Sequence, residues 1–237
     1  SEALANAIAV AEQEPVVVEF AKSFFPVLLI VLVLRSFLVE PFKIPSGSMI
    51  PTLMVGDLIL VNKFTYGIRL PVVNTKIIDI NSPARGDVMV FKFPKDVSLD
   101  YIKRVVGVPN DKIIYKNKRL TVNGQPVTYE TLPDYLDEDR LAYYSHFREN
   151  LTGVSHGILN DSRIPAYVPS PDAFPQHELC SYNLEGFECT VPAGHYFVMG
   201  DNRPQSFDSR MFGPIEQNLV VGRAFVIIWP LSAAKFL

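Results

Sequence analysis

The sequence predicts a mainly β protein, in which an antiparallel β-sheet core carries a smaller inserted lobe and follows one N-terminal transmembrane helix. Two observations support the β core: short runs rich in β-branched residues recur after residue 57, and many of the 19 prolines and 13 glycines bound them. A third observation supports the helix, since a long apolar stretch precedes these runs. The 237 residues are enough to bury a sizeable core.

The composition narrows the possible partners. Apolar residues make up 48% of the chain and charged residues 20%, which is typical of a folded protein. The formal net charge of −3, without a basic run, argues against a nucleic-acid partner. The four histidines show no metal-ligand spacing and are interpreted as surface or structural residues. They are His146, His156, His177 and His195.

The helix is predicted over residues 16–40, after a loose acidic and alanine-rich tail at residues 1–15. A spanning helix needs about 20 largely apolar residues. The sixteen positions from Phe24 to Val39 have Arg35 as their only charge, and an arginine side chain can reach the membrane interface. A buried core helix is the alternative, but apolarity around the whole helix favours a membrane. Pro41 is expected to end the helix.

The β core is expected at residues 41–129 and 191–237, interrupted by a lobe at residues 130–190 that is polar and has no clear period. Asn123-Gly124 predicts a hairpin turn within the core. The predicted strands cover residues 57–63, 87–93, 100–106, 112–115, 119–122, 125–129, 195–199 and 219–229.

The predicted lobe contains both cysteines, Cys180 and Cys189. They lie nine positions apart without a nearby histidine pair, which does not indicate a zinc site. We expect a disulfide that closes a small loop, with two free thiols as the alternative. A disulfide would place the chain in an oxidising compartment.

The segment 42–53 contains the first candidate for chemistry. Its two prolines push the residues before them, Ile44 and Ile50, towards extended conformations, and Gly47 allows a turn between two serines. We expect a rigid, exposed turn that holds Ser48 between apolar neighbours. Such a serine can be a nucleophile if a base lies elsewhere in the chain. The alternative is a serine-rich turn that caps a short helix.

The predicted strand at residues 100–106 supplies the candidate base. Side chains alternate along a strand, so Lys103 and Arg104 point to opposite faces, and one of them must point towards a covered face. A buried lysine can lose its proton, whereas arginine cannot. Desolvation is large enough to lower a lysine pKa from about 10.4 to the roughly 7–8 that a base needs. A Ser48–Lys103 dyad is the hypothesis, and a strand lysine that reaches solvent is the alternative.

The segment 199–210 follows a predicted strand and is strongly polar. It is either a turn with local Asp–Arg pairs or a catalytic loop with a hydroxyl that orients the base. Together with the two earlier segments it forms an ordered set behind an apolar helix. The motifs are Pro-Ser-Gly-Ser-Met-Ile-Pro-Thr at 45–52, Arg-Gly-Asp-Val-Met-Val-Phe at 85–91, Asp-Tyr-Ile-Lys-Arg at 100–104, Gly-Asp-Asn-Arg at 200–203 and Ser-Phe-Asp-Ser-Arg at 206–210. This set resembles the bacterial type I signal (leader) peptidases, and the resemblance spans residues 24–229.

The resemblance implies a membrane-bound serine endopeptidase that removes signal peptides from exported preproteins through an acyl-enzyme intermediate. Ser48 would be the nucleophile and Lys103 the general base. The Ser48 backbone N–H and the Ser46 hydroxyl would form the oxyanion hole. The supporting residues would be Ser206, which holds the lysine amine, and Asp208 and Arg210, which brace the loop.

The resemblance also implies shallow substrate pockets that select small residues at the first and third positions before the cut. The implied location is the bacterial inner membrane, with the catalytic domain on the periplasmic side and an apolar surface resting on the bilayer. Signal peptides and membrane lipid would be the partners, and no metal or organic cofactor is implied. The implied substrate-binding residues are Phe42, Ile44, Met49, Leu53, Ile59, Val90, Asp100, Tyr101 and Ile102.

The chain departs from the family pattern in one loop. Pro204-Gln205 replaces the usual Asp-Asn, and Phe207 stands where a small residue is common.

Two rival hypotheses remain open. One is a related Ser–Lys protease, such as a pilin-processing peptidase or a self-cleaving repressor, and the other is a membrane-anchored β module that only binds a partner.

Overall fold

The computed structural model describes residues 15–33, 38–69, 76–78, 80–164 and 173–237. The tail predicted at residues 1–15 lies outside these ranges except for its last residue, and so does Arg35. The described chain is mainly β, and its named strand pairs are all antiparallel, which confirms the predicted class.

The described residues form two α-helices, α1 (Val16–Val33) and α2 (Ser209–Phe212), and nineteen strands. The strands are β1 Val39–Lys43, β2 Leu58–Asn62, β3 Ile68–Arg69, β4 Lys76–Ile78, β5 Val88–Phe93, β6 Asp96–Gly107, β7 Lys112–Lys116, β8 Arg119–Val122, β9 Gln125–Pro126, β10 Thr128–Thr131, β11 Tyr135–Asp137, β12 Ala142–Leu151, β13 Val154–Asn160, β14 Cys180–Asn183, β15 Gly186–Thr190, β16 His195–Met199, β17 Ile215–Glu216, β18 Val220–Trp229 and β19 Lys235–Phe236.

Helix α1 is shorter than predicted. The prediction that it extends to residue 40 is wrong, because Val39–Lys43 pairs with β2 as an edge strand. The pairing with β2 explains the difference, and Pro41 fits there because proline is tolerated on an edge strand. The described side chains of α1 are all exposed. Within the described ranges, no helix combines the length and the apolarity that crossing a bilayer requires.

The largest sheet has the order β1-β2-β18-β5-β6-β16-β17, and β19 also pairs with β18. Apolar clusters cover both faces of its central β5–β6 pair. Val88, Val90 and Ile102 belong to the cluster on one face, and Met89 and Val105 belong to the cluster on the other. In the second half of β6, from Ile102 to Gly107, side chains on both faces are therefore shielded from water.

The described residues form three further sheets, the smallest of which pairs β3 with β4. Another has the order β14-β15-β7-β8-β9, so strands from the predicted lobe and from the predicted core share it. Cys180 and Cys189 are register partners in it and form the predicted disulfide. Asn123 and Gly124 have φ values of 50° and 78° in its predicted hairpin turn. The remaining sheet has the order β10-β12-β11, with β13 also paired to β12. The division into core and inserted lobe stays a prediction.

Candidate active site

Ser48 lies in a single 3-10 turn, Gly47–Met49, just after β1. Two backbone hydrogen bonds fix the entry to this turn: Ile44 N donates to Asp57 O at 2.8 Å, and Gly56 N donates to Ile44 O at 2.9 Å. Ile50 is extended, as predicted. The predicted exposed turn is exposed only at its start: Pro45 and Ser46 are exposed, whereas Ser48 is only 6% exposed. The side chain of Lys103 and the loop after β16 pack against it.

Lys103 reaches Ser48 from strand β6. Its Nζ donates to Ser48 Oγ at 2.7 Å and to the carbonyl oxygen of Ile102 at 2.8 Å. The lysine is 4% exposed. The fold therefore brings together two residues that are 55 positions apart and that the sequence had singled out separately.

The surroundings of Lys103 favour its neutral form. Burial lowers the pKa of its ammonium group to about 8, although the negative charges of Asp208 and Asp201 act in the opposite direction. Both hydrogen-bond partners of the amine are uncharged, so neither forms an ion pair with it. A lysine in this state can serve as a general base near neutral pH.

The loop after β16 holds the backbone of the Ser48 turn. Asn202 N donates to Ser48 O at 3.1 Å, and Asn202 Nδ2 donates to Gly47 O at 3.0 Å. Gly200 makes this approach possible, because a Cβ atom there would lie 2.5 Å from Ser48 O and 2.2 Å from Ser206 Oγ. A side chain at Gly200 would push the loop away from the serine.

Asp208 and Arg210 form the expected brace within this loop. Arg210 Nε and Nη2 donate to the two carboxylate oxygens of Asp208, both at 2.8 Å. The carboxylate also accepts from Gly200 N at 3.0 Å, and Arg210 Nη2 donates to Arg203 O at 2.8 Å. Burial opposes ionisation of Asp208, but the charge of Arg210 together with the hydrogen bonds to the carboxylate holds the pKa of that carboxyl below its usual value.

The other two predicted hydroxyl groups, those of Ser46 and Ser206, do not form a hydrogen bond with the Lys103 amine in this structure. Ser46 Oγ donates to Ser48 Oγ at a long 3.4 Å. Ser206 Oγ is buried and has no hydrogen-bond partner within the described residues, so the predicted contact with Lys103 is not made in this structure. Its role in holding the amine stays a prediction.

A cleft of about 590 Å³ opens beside the dyad. Three of the predicted substrate-binding residues line it: Asp100, Tyr101 and Ile102. The other predicted residues belong to the apolar cluster beneath the cleft, where Phe42 is partly buried and Ile44, Met49, Leu53, Ile59 and Val90 are buried. Lining residues that the sequence analysis missed include Ile50, Val55, Asp137, Arg140, Gln205 and Phe207.

Sequence reasoning also missed the role of Arg104. Both cations of the strand are buried, each 4% exposed, because both faces of β5–β6 are covered. Arg104 Nε and Nη2 donate to the two carboxylate oxygens of Asp201 at 2.8 and 2.7 Å. Thr52 donates its hydroxyl to the same carboxylate, which connects the Ser48 turn to this pair. The signal was present in the sequence as a second cation in an apolar run.

The sequence matches the family described as signal peptidase, peptidase S26, over residues 17–229. The chain belongs to this family. It is 48% identical to a signal peptidase I of Pseudomonas fluorescens, over 92% of this chain and 75% of that relative. A signal peptidase I of Pseudomonas aeruginosa is also 48% identical, with the same two coverages. A solved signal peptidase I from Enterococcus faecalis V583 is 28% identical and aligns with a TM-score of 0.35, covering 61% of this chain and 98% of that one.

Family membership confirms the resemblance drawn from the three ordered motifs. It makes the chain a serine endopeptidase of the signal peptidase type. Within the described ranges, no group of three or more His, Cys, Asp or Glu side chains is arranged to hold a metal ion.

Proposed function

We propose that this chain removes signal peptides from exported preproteins, with Ser48 as the nucleophile and Lys103 as the general base. The observation that carries the dyad is the 2.7 Å contact between Lys103 Nζ and Ser48 Oγ in a buried setting. The relatives named signal peptidase I support the substrate class.

The proposed reaction has two stages, acylation of Ser48 and hydrolysis of the acyl-enzyme. Neutral Lys103 Nζ accepts the Ser48 proton while Ser48 Oγ attacks the scissile carbonyl carbon. The Ser48 backbone N–H and the Ser46 hydroxyl stabilise the oxyanion of the tetrahedral intermediate. The lysine ammonium then protonates the leaving amine as the C–N bond breaks. Water attacks the acyl-enzyme, with Lys103 again as the base, and releases the signal peptide and free Ser48.

The cleft wall supports binding of an extended peptide beside the dyad. Asp100, Tyr101 and Ile102 lie on the same strand as Lys103 and line the cleft, so they are suited to contact residues before the cut. The apolar cluster under the cleft, to which Ile44 and Val90 belong, limits its depth and favours small substrate side chains. This selectivity fits the A-x-A-like ends of signal peptides.

We place the chain at the bacterial inner membrane, with the active site on the outer side. Helix α1 exposes apolar side chains on all sides, among them Phe25 and Leu28, each 64% exposed. A second apolar surface lies at the end of β18 and beyond, where Leu231 and Phe236 are 75% and 81% exposed. The disulfide fits an oxidising compartment.

Cleavage of a preprotein with an A-x-A end, in detergent micelles or lipid vesicles, tests this proposal. We expect Ser48→Ala and Lys103→Arg to lose cleavage, the second because arginine keeps the charge but cannot act as a base. Lys92→Arg is the matched control, because Lys92 lies on the neighbouring strand with a side chain 33% exposed. The control should keep full activity.

Two results would contradict the proposal. Activity in Lys103→Arg would show that another group is the base. Binding of preprotein without cleavage by the unmutated chain would favour the rival hypothesis of a binding module.

A further inference from the structure

A buried ionic cluster lies behind the Ser48 turn, on the hairpin formed by β12 and β13. Glu149 on β12 has no exposed surface, and His156 on β13 is 8% exposed. They are register partners, and His156 Nε2 lies 3.1 Å from Glu149 Oε1. Neither side chain has a part in the proposed chemistry. Burying a carboxylate costs free energy unless a cation or hydrogen-bond donors pair with it.

Glu149 pairs with the loop that holds the nucleophile. Its Oε1 accepts from Arg203 Nη2 at 2.6 Å, and Arg203 Nε donates to Gly200 O at 3.1 Å. Burial opposes ionisation of Glu149, but the charge of Arg203, together with His156 and the hydrogen bonds to the carboxylate, holds the pKa of that carboxyl well below its usual range. The pair is therefore ionised on both sides at neutral pH.

Backbone contacts connect the same hairpin to the same loop. Leu159 N donates to Asp201 O at 2.9 Å, and Leu159 forms an isolated bridge with Asn202. Gln205 Nε2 donates to the Tyr144 hydroxyl at 2.5 Å. The loop thus rests on β12 and β13 along most of its length.

The hairpin also packs directly on the Ser48 turn. Ile50 shares an apolar cluster with Tyr144 and Leu159. Gly157 on β13 lies so close to Pro51 that a Cβ atom there would come within 2.9 Å of Pro51 Cγ. The back of the nucleophile turn is therefore covered by β12 and β13, which lie within the lobe predicted at residues 130–190.

We propose that Glu149 is a positioning residue for the peptidase reaction: its ion pair with Arg203 holds the 200–203 loop in place, and Asn202 of that loop holds the Ser48 backbone against Lys103. This inference rests on the proposed function. The route has two steps, the Glu149–Arg203 pair and the two hydrogen bonds from Asn202 to the Ser48 turn. When one contact in such a series is lost, a reacting atom can shift even though the substituted residue does not touch it.

Steady-state kinetics of Glu149→Gln on a preprotein substrate test this role. We expect kcat per folded molecule to fall about 100-fold with KM nearly unchanged, since a displacement of about 1 Å at a reacting group has an effect of this order. Glu130→Gln is the matched control, because Glu130 also pairs with an arginine of β12, Arg148, but its side chain is 61% exposed. The control should keep its kcat.

A second variant covers the case in which Glu149→Gln does not fold. Glu149→Asp keeps the negative charge beside Arg203 and shortens the side chain by one methylene, so it removes the 2.6 Å contact without leaving the guanidinium unpaired in charge. We expect a folded protein with kcat lowered about 10-fold, a partial form of the same misplacement. The folded fraction is measured by circular dichroism and gel filtration before the assay.

The outcomes separate the possibilities. If kcat per folded molecule in Glu149→Asp, and in Glu149→Gln where it folds, matches the unmutated chain and the control while only the melting temperature falls, then Glu149 merely stabilises the fold and the inference is overturned. A rise in KM at constant kcat would assign Glu149 to substrate binding and also overturn it. An unmutated chain that cuts nothing would instead refute the proposed function, and this inference with it.

Discussion

Lys103 and Arg104 are neighbours on one strand and are equally buried, but they have different roles in the structure. Arg104 is matched by the carboxylate of Asp201 through two hydrogen bonds, and it remains a fixed cation. The Lys103 amine donates hydrogen bonds to a hydroxyl and a carbonyl oxygen and lies 5.5 Å from the centre of the Tyr101 ring, and burial lowers its pKa to about 8. The difference shows that burial by itself does not decide what a charged residue does. Arginine keeps its proton, so buried Arg104 needs a counter-ion, whereas a buried lysine that forms no direct ion pair can lose its proton and act as a base.

The largest expected effect on stability comes from removing the Arg104 guanidinium. Arg104→Met leaves the Asp201 carboxylate buried without its partner, and breaking such a pair typically costs about 3–5 kcal/mol of unfolding free energy. Urea denaturation measures this loss. Asp100→Asn is the control, because the Lys92–Asp100 pair on β5 and β6 is about one-third exposed and should contribute less than about 1 kcal/mol. If both variants lost the same unfolding free energy, the buried Arg104–Asp201 pair would not stabilise the fold more than the partly exposed Lys92–Asp100 pair.

Removing the Lys103 amine should have the opposite effect and raise the unfolding free energy. The pKa of Lys103 is about 8 in the folded chain and about 10.5 in the unfolded chain, so the unfolded chain binds more protons between these values. Below pH 8 the buried ammonium therefore lowers the unfolding free energy by roughly 3 kcal/mol. Lys103→Met lacks this penalty, and we expect it to be more stable than the unmutated chain at pH 7.

The pH dependence of that difference is the sharper measurement. As the pH rises from 8 to 10.5, the penalty disappears and the two stability curves should converge. Lys92→Met serves as the control, because Lys92 is an exposed partner of Asp100 and should give no such convergence. A difference that stays constant over this range would show that Lys103 does not titrate as a buried, unpaired lysine.

The smallest expected free-energy change, for each pH unit, is in the pH dependence of kcat/KM. Only neutral Lys103 can accept the Ser48 proton, so kcat/KM should rise about tenfold per pH unit below pH 8 and level off above it. Each such step corresponds to about 1.4 kcal/mol. A rate that stays flat between pH 6 and 8, in a range where the protein is folded, would indicate that the group titrating in catalysis is not Lys103.

Much of the fold could be predicted from local pattern. Strands β2, β5, β6, β7 and β8 lie within a few residues of their predicted bounds, because alternating and β-branched runs bounded by turns carry that information locally. The end of α1 could not be predicted as easily. Pro41 marks a helix limit, but only the pairing of Val39–Lys43 with β2 decides that the chain is already extended two residues earlier.

Some residues of the candidate site could also be identified from the sequence, and others could not. Ser48, Lys103 and the Asp208–Arg210 pair were identified from their own segments and from the order of the motifs. Glu149 and His156 were not, because they lie in a polar segment without a period, and their importance comes from burial beside a loop more than 40 positions away.

The sequence by itself determined which residue types are available: a serine in a constrained turn, a lysine and an arginine side by side in an apolar strand, a polar loop and a pair of cysteines. Only the tertiary structure decided which cation would be paired and which would not. Asp201 reaches Arg104 across 97 positions, and Lys103 reaches Ser48 across 55. The pKa of a side chain depends on charges and desolvation in space, and those are fixed only when distant segments pack together.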